Sequence, residues 1–495
     1  MTKTPEGKSR REFLKGCGLV AVGCFVFSLD SCISRSSPQP STSAQMPPSA
    51  SATLTISQPS NITPTTSFQS SPPPIPTLYQ SLYAQLQQYL EADNQLINTQ
   101  WDGSEYAVNY AAELLKADAN AGPGILQSST QQVMNEELDS EKSLGLKAIT
   151  VQIGFPIFEP GFYIASGQST VEAQNSVQNW LNYYQSIAQA IHSRGLKMIV
   201  ESNPLLSSFI SSQSSFNPGS YFQSIDFNTY KAKRSQHNII VAQQIKPDYL
   251  LLQTEPDTDA TNDFRSELND PSQDVPMISQ FVLDLENAGI PSLHSSIQLG
   301  AGAGAWQPEW QQYISGFAAI AGLDKLDTHI YNLPPNINQI GEVQVAMKVA
   351  DMAHAVGKGA SISEFWAHKS TTVNPYTGTG DPIIDVRARD LFSFWAPLDN
   401  QFLTVMAKLA NFKRFDYVSA FGWYTWFNLI DYNSLTTPPV YPATSTSQNS
   451  TVDAGIMTMQ DQMASQALAE HQVSLTGKAY QSAISATPAL LLAPI

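Results

Sequence analysis

Apolar positions along this chain fall into two alternating patterns. One is the short continuous run, typified by "PDYLLLQTEP" at 247–256, where Tyr249 to Leu252 are unbroken and the run ends on Thr254, Glu255 and Pro256. A run that short reads as a strand buried on both faces. Comparable runs occur at 144–155, 196–204, 295–302, 325–333, 359–367 and 416–426, and a further strand fits within 106–119. The second pattern is longer, with apolar residues at helical spacing. "TVEAQNSVQNWLNYYQSIAQAIHSRG" (170–195) shows it best and closes on a glycine. The same spacing predicts helices at 129–143, 226–245, 276–289, 308–322, 337–357 and 399–413.

Strands and helices in strict alternation imply parallel βαβ units, because parallel neighbours need a crossover. The spacing predicts an α/β fold. Eight units, with polar and aromatic residues repeatedly at strand C-terminal ends, favour a closed (β/α)8 (TIM) barrel over an open doubly wound sheet. The barrel is expected to occupy 78–495. No repeat of solenoid period is found.

The N-terminus does not follow this pattern. "SRREFLK" (9–15) precedes the apolar run 18–29, which is shorter than the ~20 residues of a permanent membrane helix. The order of residues resembles a twin-arginine export signal. "LDSC" (29–32) resembles a lipobox, which implies lipidation at Cys32, with secretion as the other outcome. Residues 1–31 are therefore expected to be a signal segment. Residues 32–77, rich in Ser, Thr and Pro with Arg35 as their one charge, are expected to be a disordered tether. These features predict cell-envelope localisation, a lipid-anchored membrane association and a monomer.

Composition narrows the partners. All three cysteines, Cys17, Cys24 and Cys32, precede the barrel, so the barrel has neither a disulfide nor a thiolate metal site. Removing the five basic and three acidic residues up to Ser31 leaves 21 basic against 39 acidic residues, a formal charge of −18. That surface argues against nucleic acid as a partner. No His-x-His, HExxH or G-x-S-x-G is present, and "GAGAGAW" (300–306) lacks the dinucleotide and P-loop spacings. No metal and no cofactor is expected. The glycines are expected to let the backbone approach a substrate.

In such a barrel, chemistry sits at the C-terminal ends of strands. Glu255 ends the fourth strand and Glu364 the seventh, and closure brings both to one rim. Two facing carboxyls suit glycosidic bond cleavage. Each residue also has a plainer reading. Glu255-Pro-Asp is good helix first-turn chemistry. Glu364 has Arg387 or His368 as candidate structural partners, and His329 fits a core position as well as a site.

The motifs together resemble glycoside hydrolase clan A, the retaining (β/α)8 glycosidases. "TEP" (254–256) is similar to that clan's Asn-Glu-Pro, with Thr254 in the place of Asn. "SEFWA" (363–367) is similar to its seventh-strand motif, "HIY" (329–331) to its sixth-strand His-x-Tyr, and "FGWYTW" (421–426) to its eighth-strand tryptophan motif. "LTGKAYQSA" (475–483) resembles its closing Lys-Pro-Ala-Tyr tail, and within the clan strand four is weakly similar to the arabinogalactan endo-galactanases. The third strand departs from the pattern, offering Glu201 and Asn203 in "ESNP" where a histidine is usual. The resemblance implies Glu255 as acid/base and Glu364 as nucleophile in a double displacement on a β-linked neutral carbohydrate. It places Thr254, His329, Tyr331, Trp423 and Trp426 around the sugar, and position at or just after strand ends adds Asn203, Trp306 and Trp366 as substrate-binding candidates. Trp310 shares this aromatic cluster, and packing under loops is expected for part of it. The alternatives are a non-catalytic carbohydrate-binding lipoprotein and a barrel with structural carboxylates.

Overall fold

Eight parallel strands close on themselves in chain order: β1 (Asn109–Glu113), β2 (Ala148–Gln152), β3 (Lys197–Glu201), β4 (Tyr249–Leu251), β5 (Gln298–Gly304), β6 (Lys325–Ile330), β7 (Gly359–Phe365) and β8 (Tyr417–Ala420). β8 pairs back onto β1, which completes the barrel. The computed structural model describes residues 71–206, 218–335, 340–370, 383–421, 425–435 and 447–492. Cys32 and Trp423 lie outside the described residues.

The predicted helices are present with shifted ends. The helix expected from 276 begins at Pro271, because Asp270 accepts from the Ser272 N–H and caps it five residues earlier. Ser169 and Glu172 form a reciprocal capping box at the start of the helix Thr170–Ser193. The helix Phe227–Ile240 runs on as a π-helical turn, Val241–Ile245, and stops at Lys246 in left-handed backbone. Among the described residues no helix is long and apolar enough to cross a membrane.

Alternation along the strands divides the buried residues into two sets. Outward positions such as Ile149, Val151, Met198, Val200 and Leu250 join the large core beneath the helices. Inward positions Ala111, Ala148, Ile199, Tyr249, Leu251 and Tyr417 form a separate apolar plug. Above that plug comes a hydroxyl and carboxyl tier, where Thr150 donates to Ser419 (2.7 Å) and Ser361 to Asp327 (2.6 Å). Glu201, Glu255, His329 and Glu364 come above this tier, at the strands' C-terminal ends. The polar end of the barrel is thus held from below by a packed apolar floor.

The glycines of "GAGAGAW" have a different use from the expected one. They belong to β5, and a Cβ on Gly300, Gly302 or Gly304 would meet Leu251 (2.4 Å), the Asp327 backbone (2.2 Å) or the Trp306 ring (2.4 Å). They make room for neighbours inside the barrel rather than for a substrate. The closing segment packs as a helix, Leu475–Ser485. Its buried Tyr480 donates to the Ala111 carbonyl at 2.7 Å and stacks on Trp426, tying the C-terminus to β1.

Candidate active site

Thr254 and Glu255 leave β4 and turn at once into a short helix, Pro256–Asn262. Pro256 takes the first helical position, where its missing N–H costs nothing. Glu255 is the N-cap residue, yet its side chain caps no N–H of that helix. Its Oε1 instead accepts from His329 Nδ1 at 2.8 Å, across the barrel mouth. The helix-start reading of Glu255 describes its backbone, and the site reading describes its carboxyl.

Glu364 reaches the same imidazole from β7, with Oε2 3.6 Å from His329 Nδ1. The nearest Glu255 and Glu364 oxygens can therefore be no further apart than the two contacts end to end, 2.8 Å and 3.6 Å, about 6.4 Å. Glu364 accepts from Gln152 Nε2 at 2.5 Å and from the Tyr331 hydroxyl. Side-chain exposure falls from 15 % at Glu255 to 7 % at Glu364 and 1 % at His329. Of the pair, Glu255 is the one nearer to solvent.

A bulge aims Glu364. Asp327 pairs with Ser361, but two residues later His329 pairs with Glu364, three residues on. Against β8, Ile362 pairs with Val418 and Phe365 with Ala420, so β7 carries one extra residue relative to both neighbours. Ser363 and Glu364 can then both face inward. Ser363 accepts from His329 Nε2 (2.8 Å) and donates to Asp327 Oδ2 (2.6 Å). Phe365 turns outward onto Phe402 and Tyr480. Bulges beside active sites commonly re-aim a side chain in this way.

Electrostatics follow from this crowding. Burial alone would lower the pKa of His329, but the Glu364, Glu255 and Asp327 carboxylates outweigh it and push the imidazole up to about 9. A doubly protonated ring also suits both of its contacts, since each nitrogen can then donate. Burial raises the Glu364 carboxyl, and Glu255 adds to this. His329, Tyr331 and a hydrogen bond from Glu201 act the other way. Asp257, whose Oδ2 accepts from Trp306 Nε1 (3.0 Å), is pushed up to about 7 by burial and by Glu255. Glu342 fixes the start of the β6 loop by accepting from the Tyr331 and Asn332 N–H groups.

The donor atoms of Glu201, His329 and Glu364 lie within 4.8 Å of one another. A cation there would have to displace bonds already made. His329 uses one nitrogen on Glu255 and the other on Ser363, so it has no lone pair to offer a metal unless one of those bonds is given up. The cluster is a hydrogen-bonded carboxyl–imidazolium network.

No protein-family model and no curated protein matches the chain. Solved structures similar to it include an exo-β-1,4-mannosidase from Opitutaceae bacterium, with 16 % identity, 80 % of this chain, 63 % of that one and a TM-score of 0.42. The chain thus spans less than two thirds of that protein. Others are an endo-1,4-β-D-mannanase from Thermotoga petrophila (11 %, 72 % and 99 %, TM-score 0.37) and xylanase A from P. fluorescens subsp. cellulosa (12 %, 77 % and 99 %, TM-score 0.40).

The other residues singled out from the sequence divide into two groups. Tyr331 is on the network, its ring stacked against His368 at 5.0 Å. Asn203 is half-buried at the rim and donates to the Thr254 hydroxyl. Thr254 is itself fully buried, so it supports Asn203 rather than presenting a group of its own. Trp306 is buried, its ring above Gly304 and 5.7 Å from Tyr331. Trp310 is buried at the start of the helix Trp310–Ala318. Trp366 and Trp426 are packed edge to face at 5.5 Å and fully or almost fully buried, with Lys369 over Trp366. These two do the work of a core, not of an open platform, because the residues around them bury both rings. His368 does not pair with Glu364; it bonds Asp390 at 3.0 Å.

Gln152 was not foreseen. In register with Glu201 across β2 and β3, it contacts both Glu201 and Glu364. Its one sequence signal is position, a polar residue two places after Thr150 within the predicted strand segment 144–155.

Proposed function

We propose that this protein is a retaining glycoside hydrolase that cleaves β-linked neutral oligo- or polysaccharide. One observation carries the reading: Glu255 and Glu364, three βα units apart in sequence, flank a single imidazole nitrogen at 2.8 Å and 3.6 Å. The bound on their separation fits the ~5–5.5 Å of retaining enzymes better than the wider gap of inverting ones.

Glu364, held by Tyr331 and Gln152, attacks the anomeric carbon and forms a glycosyl ester. Glu255, the more exposed, donates its proton to the departing oxygen and then takes one from the water that opens the ester. His329 balances the charge between the two carboxyls as it moves from one to the other. Asn203, carried on Thr254, is the rim amide available to a sugar hydroxyl. The "SRREFLK" and "LDSC" segments support an exported chain lipidated at Cys32, with residues 32–77 as tether.

The test is a panel of β-linked glycans incubated with wild type, Glu255→Ala and Glu364→Ala. Wild type is expected to cleave at least one, with retention seen by NMR of the first-formed anomer. Each variant should lose roughly three orders of magnitude or more, comparable to removing a triad member elsewhere. Cleavage that survives in both variants removes the assignment. Binding without cleavage by wild type leaves a carbohydrate-binding barrel.

A further inference from the structure

Glu201 ends β3 fully buried, and neither the sequence motifs nor the two-carboxyl mechanism uses it. Its Oε2 accepts from Gln152 Nε2 at 3.3 Å, the same amide that donates to Glu364. Its Oε1 meets no donor among the described residues. His329 Nε2, the nearest cation, is 3.9 Å away, beyond hydrogen-bond distance. The ionisable groups facing it are Glu113 on β1, Asp327 and His329 on β6, Glu364 on β7 and Tyr417 on β8.

A carboxylate in that position would be expensive. It would leave a buried oxygen unsatisfied and add a negative charge beside those of Glu364 and Asp327, with one imidazolium to balance them. A neutral acid has neither problem, because its O–H becomes a donor in a cluster otherwise rich in acceptors.

We propose that Glu201 is a positioning acid: it stays protonated, donates to the Glu364 carboxylate and, with Tyr331 and Gln152, completes a three-donor cradle that is lost when Glu201 ionises. This rests on the reading of Glu364 as the nucleophile. Burial first, and then the Glu364 charge, hold the Glu201 carboxyl well above the usual carboxylate range, and the Glu201–Glu364 hydrogen bond lowers that of Glu364.

The chemical consequence concerns the second step. As the glycosyl ester opens, Glu364 departs as a carboxylate, and the proton on Glu201 stabilises the charge as it returns. No proton is transferred to the sugar, and Glu201 touches no reacting atom. Once ionised, Glu201 puts a like charge beside the nucleophile, so activity falls on the alkaline side for a reason separate from Glu255.

Infrared difference spectroscopy of wild type against Glu201→Gln at neutral pH needs no substrate. The wild type should show a protonated-carboxyl C=O band that the variant lacks. Loss of a carboxylate band instead overturns the proposal, whatever the enzyme hydrolyses. A second arm uses an aryl glycoside with an acidic phenol, whose departure needs no help from Glu255, built on the sugar found in the glycan panel. Glu201→Gln, which keeps an N–H donor, should stay active to higher pH than wild type. Glu201→Ala should lose roughly 100-fold in kcat with KM little changed, the scale of one lost donor. An alkaline limb that is the same in wild type and Glu201→Gln overturns the proposal. If no glycan is cleaved, the hydrolase reading fails and the infrared result still decides the protonation of Glu201.

Discussion

Thr254 shows how one atom's reach changes a residue's task. An amide at that position would extend into the mouth of the barrel, whereas the shorter hydroxyl is fully buried and engages Asn203. The amide beside Glu255 therefore comes from β3 and not from β4. Tyr331 has the opposite character, since its hydroxyl lies directly on Glu364. Its hydrogen bond lowers the Glu364 carboxyl, so Tyr331→Phe should move the acid limb of kcat/KM to higher pH. The same variant should reduce kcat by about 10²-fold, in the range of a lost transition-state donor. A pH–rate series on the cleaved glycan checks both, and an unshifted acid limb would count against the hydrogen bond's role.

At the scale of the element, β5 and β7 depart from regular strands in ways the site requires. The β7 bulge reverses the phase of alternation, which puts Glu364 inside and Phe365 outside. A strand without the extra residue would carry that carboxyl into the apolar layer beneath the helices. On β5 the inward positions have no side chains, and Gly302 faces the Asp327 backbone at a distance no Cβ tolerates. Gly302→Ala is expected to destabilise by about 1–3 kcal/mol or more, as overpacking does. Gly124→Ala, where a Cβ meets nothing within 4 Å, should change stability little. Calorimetric melting of both variants tests the contrast, and equal melting temperatures would defeat it.

The whole molecule buries many acids beneath a strongly acidic surface. Burial pushes Asp93 and Asp274 to about 7 and Glu342 to about 8, above their unfolded values near 4. Between those limits the folded state binds more protons than the unfolded one, so stability falls as pH rises. His329, raised to about 9, has the same sign: its contribution is complete below about 6.5 and is lost as pH climbs through 9. His237 opposes them. Its buried ring, with Nε2 2.9 Å from the Ile153 carbonyl, is lowered to about 4, which favours unfolding as pH drops below about 6.5. Most of these groups act in the first direction. The melting temperature should be highest on the acid side of neutrality, near pH 5, and decline toward pH 9. A calorimetric series showing it level or rising over that range would contradict the balance drawn here.

Hydrophobic periodicity alone determined the architecture. Buried parallel strands and amphipathic crossover helices leave a short-range record: seven of the eight strands lie within the segments that record marks, and β5 runs two residues past its own. It also located the strand ends, and with them Glu255 and Glu364, since in this fold residues that close apolar runs gather at one rim; His329 and Tyr331 came from the motif resemblance. Three things were settled only by the tertiary structure. The bulge that aims Glu364 depends on registers with two neighbouring strands. The burial of Trp366 and Trp426 depends on a closing helix far along the chain. The convergence of Gln152 and Glu201 on Glu364 depends on the barrel closing at all. A local pattern records which face a residue prefers, but only the closed barrel brings residues from four other strands to the Glu364 carboxylate.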